Sequence, residues 1–307
     1  VEDVKIPALA SNIMVYGGED YYWFTISRYD IVTGYINLKE SESIERIENE
    51  ELSQKSYYSY NDKLQINSVK NIDTTGIFYT KYKYAHEYNL SHLSDIDNKN
   101  LFSYVIEEQI WKSNSDENDL KLINSTVTDF QKTSSNLLLP KYIYNLSTEN
   151  SITSNELGEE YDYFGSYKNL FPINQFKLQS EFKYDDNGNV IEVKTKDGLS
   201  TSYIYGHRKY FPVAQIIGAT YDQVDNYLSG FSGRYGLPED VINNLKSNLP
   251  NAHISTYTYD PLYGMTSETG PDNIKLTYEY DDFGRLKLVK DHNGDILKRY
   301  TYQYRVQ

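Results

Sequence analysis

The residues able to do chemistry are few, and their spacing does not suit it. Five histidines occur, His86, His92, His207, His253 and His292. His86 and His92 share a polar stretch at a spacing that does not put two imidazoles on one helical face, as a helical metal pair requires. Packing or solvation accounts for all five. Asp185-Asp186-Asn187-Gly188-Asn189 and Asp95-Ile96-Asp97-Asn98 look superficially like calcium loops. Neither reaches the glutamate that closes an EF-hand at its twelfth position, and a tight turn explains the first run better.

Cysteine is absent, which excludes thiolate nucleophiles, disulfides and Cys-based metal sites. There is no Gly-rich phosphate loop, no G-x-S-x-G elbow and no H-E-x-x-H helix. The chain has 44 acidic residues, but no spacing among them selects a pair that would face each other across a cleft, as glycoside hydrolysis needs. The expectation is a chain that is not an enzyme and uses no cofactor or metal. Tyrosine-rich strands with Trp23 and Trp111 could stack on sugars. Cross-strand aromatic ladders are the plainer reading, because the tyrosines follow a repeat.

The elements that position these residues are strands. Hydrophobic residues make up only 39% of the 307, and 33 Tyr take much of the place of aliphatic side chains. Tyrosine favours strands and covers a sheet face while keeping its hydroxyl near water. A net charge of −14 opposes a nucleic-acid partner or an anionic membrane surface. The longest apolar stretches, Leu137-Leu138-Leu139 and Phe211 to Ala219, fall short of the roughly 18 residues of a membrane helix, so no transmembrane segment is expected. The sequence opens at Val1 without a signal peptide, so a processed or internal piece of a longer protein is expected.

A repeat organises the second half. Tyr161, Tyr184, Tyr205, Tyr259, Tyr280 and Tyr302 recur in similar aromatic strands, with an insertion between Tyr205 and Tyr259. Each unit opens with an alternating strand such as Thr277-Tyr278-Glu279-Tyr280. A turn follows, in Tyr161-Asp162 to Gly165, Tyr184-Asp185 to Gly188, Tyr259-Asp260 to Gly264 and Tyr280-Asp281 to Gly284. There Asp bonds the backbone just ahead of it and Gly accepts a positive φ. After the second strand, Asp197-Gly198 or Asn293-Gly294 predicts a two-residue type I′ hairpin. Lone hairpins are marginal, so the units must stack into one sheet.

The insertion, about 220–250, reads as a helical pair packed on the sheet. Thr220 to Leu228 predicts one helix. Pro238 starts a second, with Val241, Ile242, Leu245 and Leu249 as its apolar stripe and Phe231 in the connection. Residues 1–159 form a less regular Tyr-rich β region, and 160–307 form the repeat region. The acidic run from Lys39 to Glu51 reads as a solvated strand or loop, with a docking segment for a basic partner as the alternative.

Tyr280-Asp281-Asp282-Phe283-Gly284-Arg285-Leu286, following Tyr259-Asp260, resembles the YD repeat of Rhs proteins, teneurins and toxin-complex shells. The stretch Asp197 to Gly206 followed by Tyr210-Phe211-Pro212-Val213-Ala214-Gln215-Ile216 is similar to a subgroup in secreted proteins of Gram-negative bacteria. So are Leu139-Pro140-Lys141 and Tyr300-Thr301-Tyr302-Gln303-Tyr304. The resemblance implies a mainly β fold, a curling antiparallel sheet of YD-type hairpins with a short helical insertion. It also implies location outside the cell or on the outer-membrane surface. Expected partners are proteins, namely the rest of a precursor or the export and anchoring machinery. The leading function is a structural scaffold that wraps or presents a partner or cargo. The alternatives are a carbohydrate-binding surface module and a shell fragment of a toxin carrier.

Overall fold

The computed structural model describes residues 4–6, 12–17, 20–25, 31–33, 37–47, 50–87, 103–113, 119–147, 152–153, 176–229 and 231–303. Contacts divide the chain into Val1–Ile77 and Phe78–Gln307. The boundary expected at 159/160 lies outside the described residues, as do Tyr161, Gly165, His92 and Asp95 to Asn98.

In the first unit, β1 (Val4–Ile6), β2 (Asn12–Gly17), β3 (Asp20–Thr25) and β4 (Ile31–Thr33) make two antiparallel pairs, β1 with β4 and β2 with β3. They are followed by a meander of β5 (Glu40–Ile47), β6 (Glu50–Tyr60) and β7 (Ile66–Asp73). The acidic run thus forms ordered strand, paired from Glu40↔Tyr57 to Ile47↔Glu50, and Glu42 to Glu45 are exposed to solvent.

The strands that follow are β8 (Gly76–Tyr84), β9 (Val105–Ser113), β10 (Lys121–Lys132), β11 (Leu138–Leu146), β12 (Ile152–Thr153), β13 (Phe176–Tyr184), β14 (Val190–Thr195), β15 (Ser200–Gly206) and β16 (Phe211–Ile217). Then come helices α1 (Tyr221–Asp225) and α2 (Glu239–Asn248), and strands β17 (His253–Asp260), β18 (Gly264–Thr269), β19 (Lys275–Tyr280), β20 (Leu286–Lys290) and β21 (Ile296–Arg299). From β9 to β21 each strand pairs antiparallel with the next. The exception is the short β12, which shares an edge of β10 while β11 pairs with β13. The fold is therefore mainly β and antiparallel, with a short helical insertion. Most strand residues are half-buried rather than buried, as expected when tyrosines cover the faces of a sheet.

The thickest core lies under the insertion. Ile204, Val213, Ala214, Ile216 and Ile254 from three adjacent strands meet Val224 of α1 and Val241 and Leu245 of α2, and Phe231 packs against them from the connection. α1 is shorter than predicted. Its Thr220–Gln223 capping box fixes the start, but the helix ends at Asp225, because the chain must bend so that Tyr227, Leu228 and Phe231 reach the same core. Pro238 is the N-cap of α2 rather than its first helical residue. β16 and β17 pair directly across the insertion, from Ala214↔Thr256 to Ile217↔His253.

The hairpin turns correct one expectation. Neither Asp197-Gly198 nor Asn293-Gly294 forms a two-residue type I′ turn, which needs positive φ at both positions. Only Gly198 (φ 81°) and Gly294 (φ 89°) lie in the left-handed region. In each turn the first residue donates its N–H to the carbonyl four residues on, and the fourth donates back. Examples are Thr195 N–H to Leu199 O at 2.9 Å and Asp291 N–H to Asp295 O at 3.0 Å. This is the three-residue loop in which a type I turn is followed by a left-handed residue. The cause is the first residue of the turn, since Asp291 Oδ1 accepts the N–H groups of Asn293 and Asp295, both at 2.9 Å. The same closure occurs at Asn61–Gln65, Thr133–Leu137, Asp185–Asn189, Gly270–Ile274 and Asp281–Arg285. Tyr60-Asn61 therefore begins the same kind of turn in the first half, with Leu64 (φ 61°) where glycine stands elsewhere.

Candidate functional site

Tyr60, Tyr184 and Tyr280 stand just ahead of these turns, and Tyr259 stands ahead of a different one, in which Tyr263 N–H donates to Asp260 O at 3.2 Å. Tyr60, Tyr184, Tyr259 and Tyr280 each face the residue six positions on, Ile66, Val190, Met265 and Leu286, immediately beyond a β-bulge. Tyr205 sits at a similar irregularity opposite Pro212. Tyr302 departs from expectation. β21 ends at Arg299, and Tyr302 lies in the irregular segment after it.

The hydroxyls make a recurring bond between units. Tyr205 donates to Val190 O at 3.2 Å, Tyr280 to Met265 O at 2.7 Å and Tyr302 to Leu286 O at 2.8 Å. Each acceptor is the residue six after the preceding repeat tyrosine. Main-chain pairing between the two strands has stopped short of these residues, at Ser267↔Thr277 for β18 and β19 and at Glu192↔Ser202 for β14 and β15. The phenol supplies the next rung where the strands diverge. Phenylalanine would fill the same space and leave the carbonyl without that donor.

Asp281 anchors its turn as Asp291 does, and also receives Arg285 Nε–H at 2.8 Å. The Arg285 hydrogen bond, followed by those of the turn backbone, holds the Asp281 carboxyl below its usual range. The Arg285 guanidinium in turn lies 4.3 Å from the centroid of the Tyr302 ring. Asp185 uses Oδ1 for Asn187 and Asn189 N–H and Oδ2 for Asn189 Nδ2 and Lys209 Nζ, the last at 3.6 Å. Both oxygens thus have partners, within the turn at Asn187 and Asn189 and outside it at Lys209. Among the described residues no cluster of three or more His, Asp and Glu is placed to hold a metal.

Glu192, 3% exposed, ties the insertion to the sheet. It accepts from Ser200 Oγ at 2.9 Å, from the Tyr221 N–H at the start of α1 at 3.1 Å and from Lys183 Nζ at 3.0 Å. Lys183 also bridges to Asp222 at 3.1 Å. Burial alone would raise the Glu192 carboxyl, but the hydrogen bonds from Lys183, Tyr221 and Ser200 outweigh it and hold the group below the usual carboxylate range.

Trp111 is 6% exposed, and its indole N–H donates to Gln109 Oε1 at 2.9 Å. Gln109 donates in turn to the buried Glu107 at 2.8 Å. This ring belongs to the interior, with Lys81 Nζ 5.0 Å from its centroid, and has no face to offer a sugar. The Trp23 side chain lies outside the described residues. His207 packs edge-on against Phe211 and Tyr259, which themselves stack at 4.8 Å.

A cleft of about 770 Å³ opens between β15 and the connection of the insertion. Tyr203, Tyr205, Tyr221, Asp225, Phe231 and Arg234 line it together with Arg208 and Lys209. The last two come from the β15–β16 loop, where His207 (φ 49°), Arg208 (φ 61°) and Lys209 (φ 69°) form three consecutive left-handed residues. Such residues cost roughly 1–2 kcal/mol each and normally occur singly. The loop is held by the Arg208 N–H to Gly233 O at 2.7 Å, by the His207 N–H to Tyr235 O at 3.2 Å and by Asn189 Nδ2 to Lys209 O at 2.9 Å. The sequence carries no glycine at these three positions, so nothing in it announced this conformation.

Among the described residues no helix is long and apolar enough to cross a membrane. No family model and no curated protein matches the chain. Among solved structures it is similar to a crystal structure of TcdB2-TccC3-Cdc42, with 8% identity and a TM-score of 0.41 over 87% of this chain and 14% of that one. A crystal structure of TcdB2-TccC3 aligns at 9% identity and a TM-score of 0.34, over 87% and 15%. The Photorhabdus luminescens Tc holotoxin pore aligns at 13% identity and a TM-score of 0.19, over 78% and 14%. The chain therefore spans only a small part of the length of each of these chains.

Proposed function

We propose that the chain is a segment of an Rhs-like YD-repeat scaffold, secreted or displayed at the surface of a Gram-negative bacterium. In this reading the sheet wraps or presents a protein partner or cargo and performs no catalysis of its own. The observation that carries it is the tyrosine bond between units, Tyr205 to Val190, Tyr280 to Met265 and Tyr302 to Leu286. Each unit completes the hydrogen bonding of the one before it, an arrangement suited to a long repetitive wall. The polar, half-buried faces of its strands suit contact with other protein surfaces better than a closed apolar core.

The test is made in the producing bacterium. Protease shaving and immunolabelling of intact cells locate the chain, and chemical cross-linking followed by mass spectrometry identifies what it touches. The expected result is surface or extracellular location with one dominant cross-linked protein, or cross-links to further segments of its own precursor. A chain confined to the cytoplasm with no reproducible cross-link overturns the reading.

A further inference from the structure

The chain carries a net charge of −14, yet the cleft beside β15 gathers Arg208, Lys209 and Arg234. Lys209 is committed to Asp185 at 3.6 Å. The guanidinium groups of Arg208 and Arg234 have no carboxylate partner among the described residues. The backbone brings the two residues together, and the Arg234 guanidinium lies 5.6 Å from the centroid of the Tyr235 ring. Arg208 sits in the left-handed loop and donates its N–H to Gly233, the residue just before Arg234. Backbone strain of this kind persists where the surrounding structure imposes it, and it concentrates at binding sites.

The other walls narrow the ligand. Tyr205 and Tyr221 present aromatic surface, and the Tyr205 hydroxyl is already bound to Val190 O, so its ring rather than its oxygen faces a guest. Asp225 adds a carboxylate that would repel a plain anion but accepts hydrogen bonds from hydroxyl groups. A free phosphate satisfies the arginines and leaves the rings unused. An aromatic acid uses the rings and leaves Asp225 opposed. An acidic sugar uses all three, and the cleft volume of about 770 Å³ falls in the range of small-molecule sites.

We propose that this cleft binds an anionic saccharide unit, a uronic acid or its glycosides, with its carboxylate at Arg208 and Arg234, its ring on Tyr205 and Tyr221 and its hydroxyls toward Asp225. Guanidinium groups grip carboxylates through paired N–H donors, so the arginines supply both the charge and the orientation. The site does not depend on the scaffold role, since the lining of the cleft is the same whether or not the chain wraps a partner.

The test is calorimetry on the whole chain with glucuronic acid and digalacturonic acid, with glucose and inorganic phosphate as comparators. Uronates are expected to bind with an affinity that weakens as salt rises, while glucose gives no measurable heat. The double variant Arg208→Gln with Arg234→Gln is expected to lose roughly tenfold or more in uronate affinity. Both side chains are exposed, so thermal melting should stay at the parent value. Asp225→Asn gives an independent variant, expected to weaken uronate binding several-fold through the lost hydroxyl contacts while any phosphate binding, relieved of the carboxylate's repulsion, strengthens. No heat with either uronate at millimolar concentration, phosphate binding as tightly as uronate, or a folded double variant with parental affinity each overturns the assignment.

Discussion

The hydroxyl of Tyr280 donates to the carbonyl oxygen of Met265 at 2.7 Å, beyond the point where main-chain pairing between their two strands stops. Tyr280→Phe removes that donor and little volume. The expected cost is about 1–2 kcal/mol, the worth of a partly buried hydrogen bond plus an unsatisfied carbonyl. Urea titration followed by fluorescence measures it. Tyr210→Phe, at a position 79% exposed, is the matched control and should be neutral. Equal effects at both positions would show that the phenol does not act as a rung.

Gly188 and Gly198 both have positive φ, at 84° and 81°. They differ in what surrounds them. A Cβ on Gly188 would come within 2.8 Å of Leu137 Cδ1, whereas one on Gly198 meets nothing within 4 Å. Gly198→Ala is expected to cost about 1 kcal/mol from backbone conformation alone. Gly188→Ala should cost somewhat more, because the Leu137 side chain must also turn away from the added methyl. Melting temperatures of the two variants, compared in one buffer, decide the order.

The Glu192 carboxyl is held below its usual range, so its contribution to stability is full above the unfolded value, near 4.3. That contribution declines as the pH falls through the lower folded value, where the group must take up a proton. The parent chain should therefore lose melting temperature on acidification to about pH 3. Glu192→Gln should start less stable at neutral pH and lose less over the same interval. Parallel melting curves for the two proteins would remove Glu192 as a source of acid sensitivity.

Leu245 is fully buried at the contact of α2 with the sheet. Leu245→Ala should cost about 2–5 kcal/mol through the cavity it leaves. Hydrogen exchange read by mass spectrometry should accelerate first in α1, the connection and α2. Uniform acceleration across β9 to β21 would mean that the insertion and the sheet unfold as one.

Fold class was legible in the sequence because the tyrosine spacing and the D-x-x-G turns carry period and direction together. Tyr60-Asn61 to Ile66 escaped notice, although it has the same layout, because Asn replaces Asp and Leu64 occupies the left-handed position. Asn61 Oδ1 nevertheless accepts the N–H groups of Lys63 and Gln65, both at 3.0 Å, as aspartate does in the other turns. The type I′ expectation failed because it weighed the Asn-Gly pair and overlooked Asp291, two residues earlier, whose side chain sets the loop length. The tight pairing of Trp111 with Gln109 was visible only as alternation along β9. The cleft had no sequence signature, since it joins a hairpin loop to a segment more than twenty residues away.

Direct pairing of β16 with β17 makes the intervening helices a cassette rather than a link in the sheet. Replacing the segment between Gly218 and Ala252 leaves the pairing of the two flanking strands in place, but the replacement must bring its own apolar face to cover Ile204, Val213, Ile216 and Ile254. Natural variants of this chain are therefore expected to diverge fastest in that segment. They should conserve the tyrosines on either side of it, together with an apolar stripe that faces the sheet.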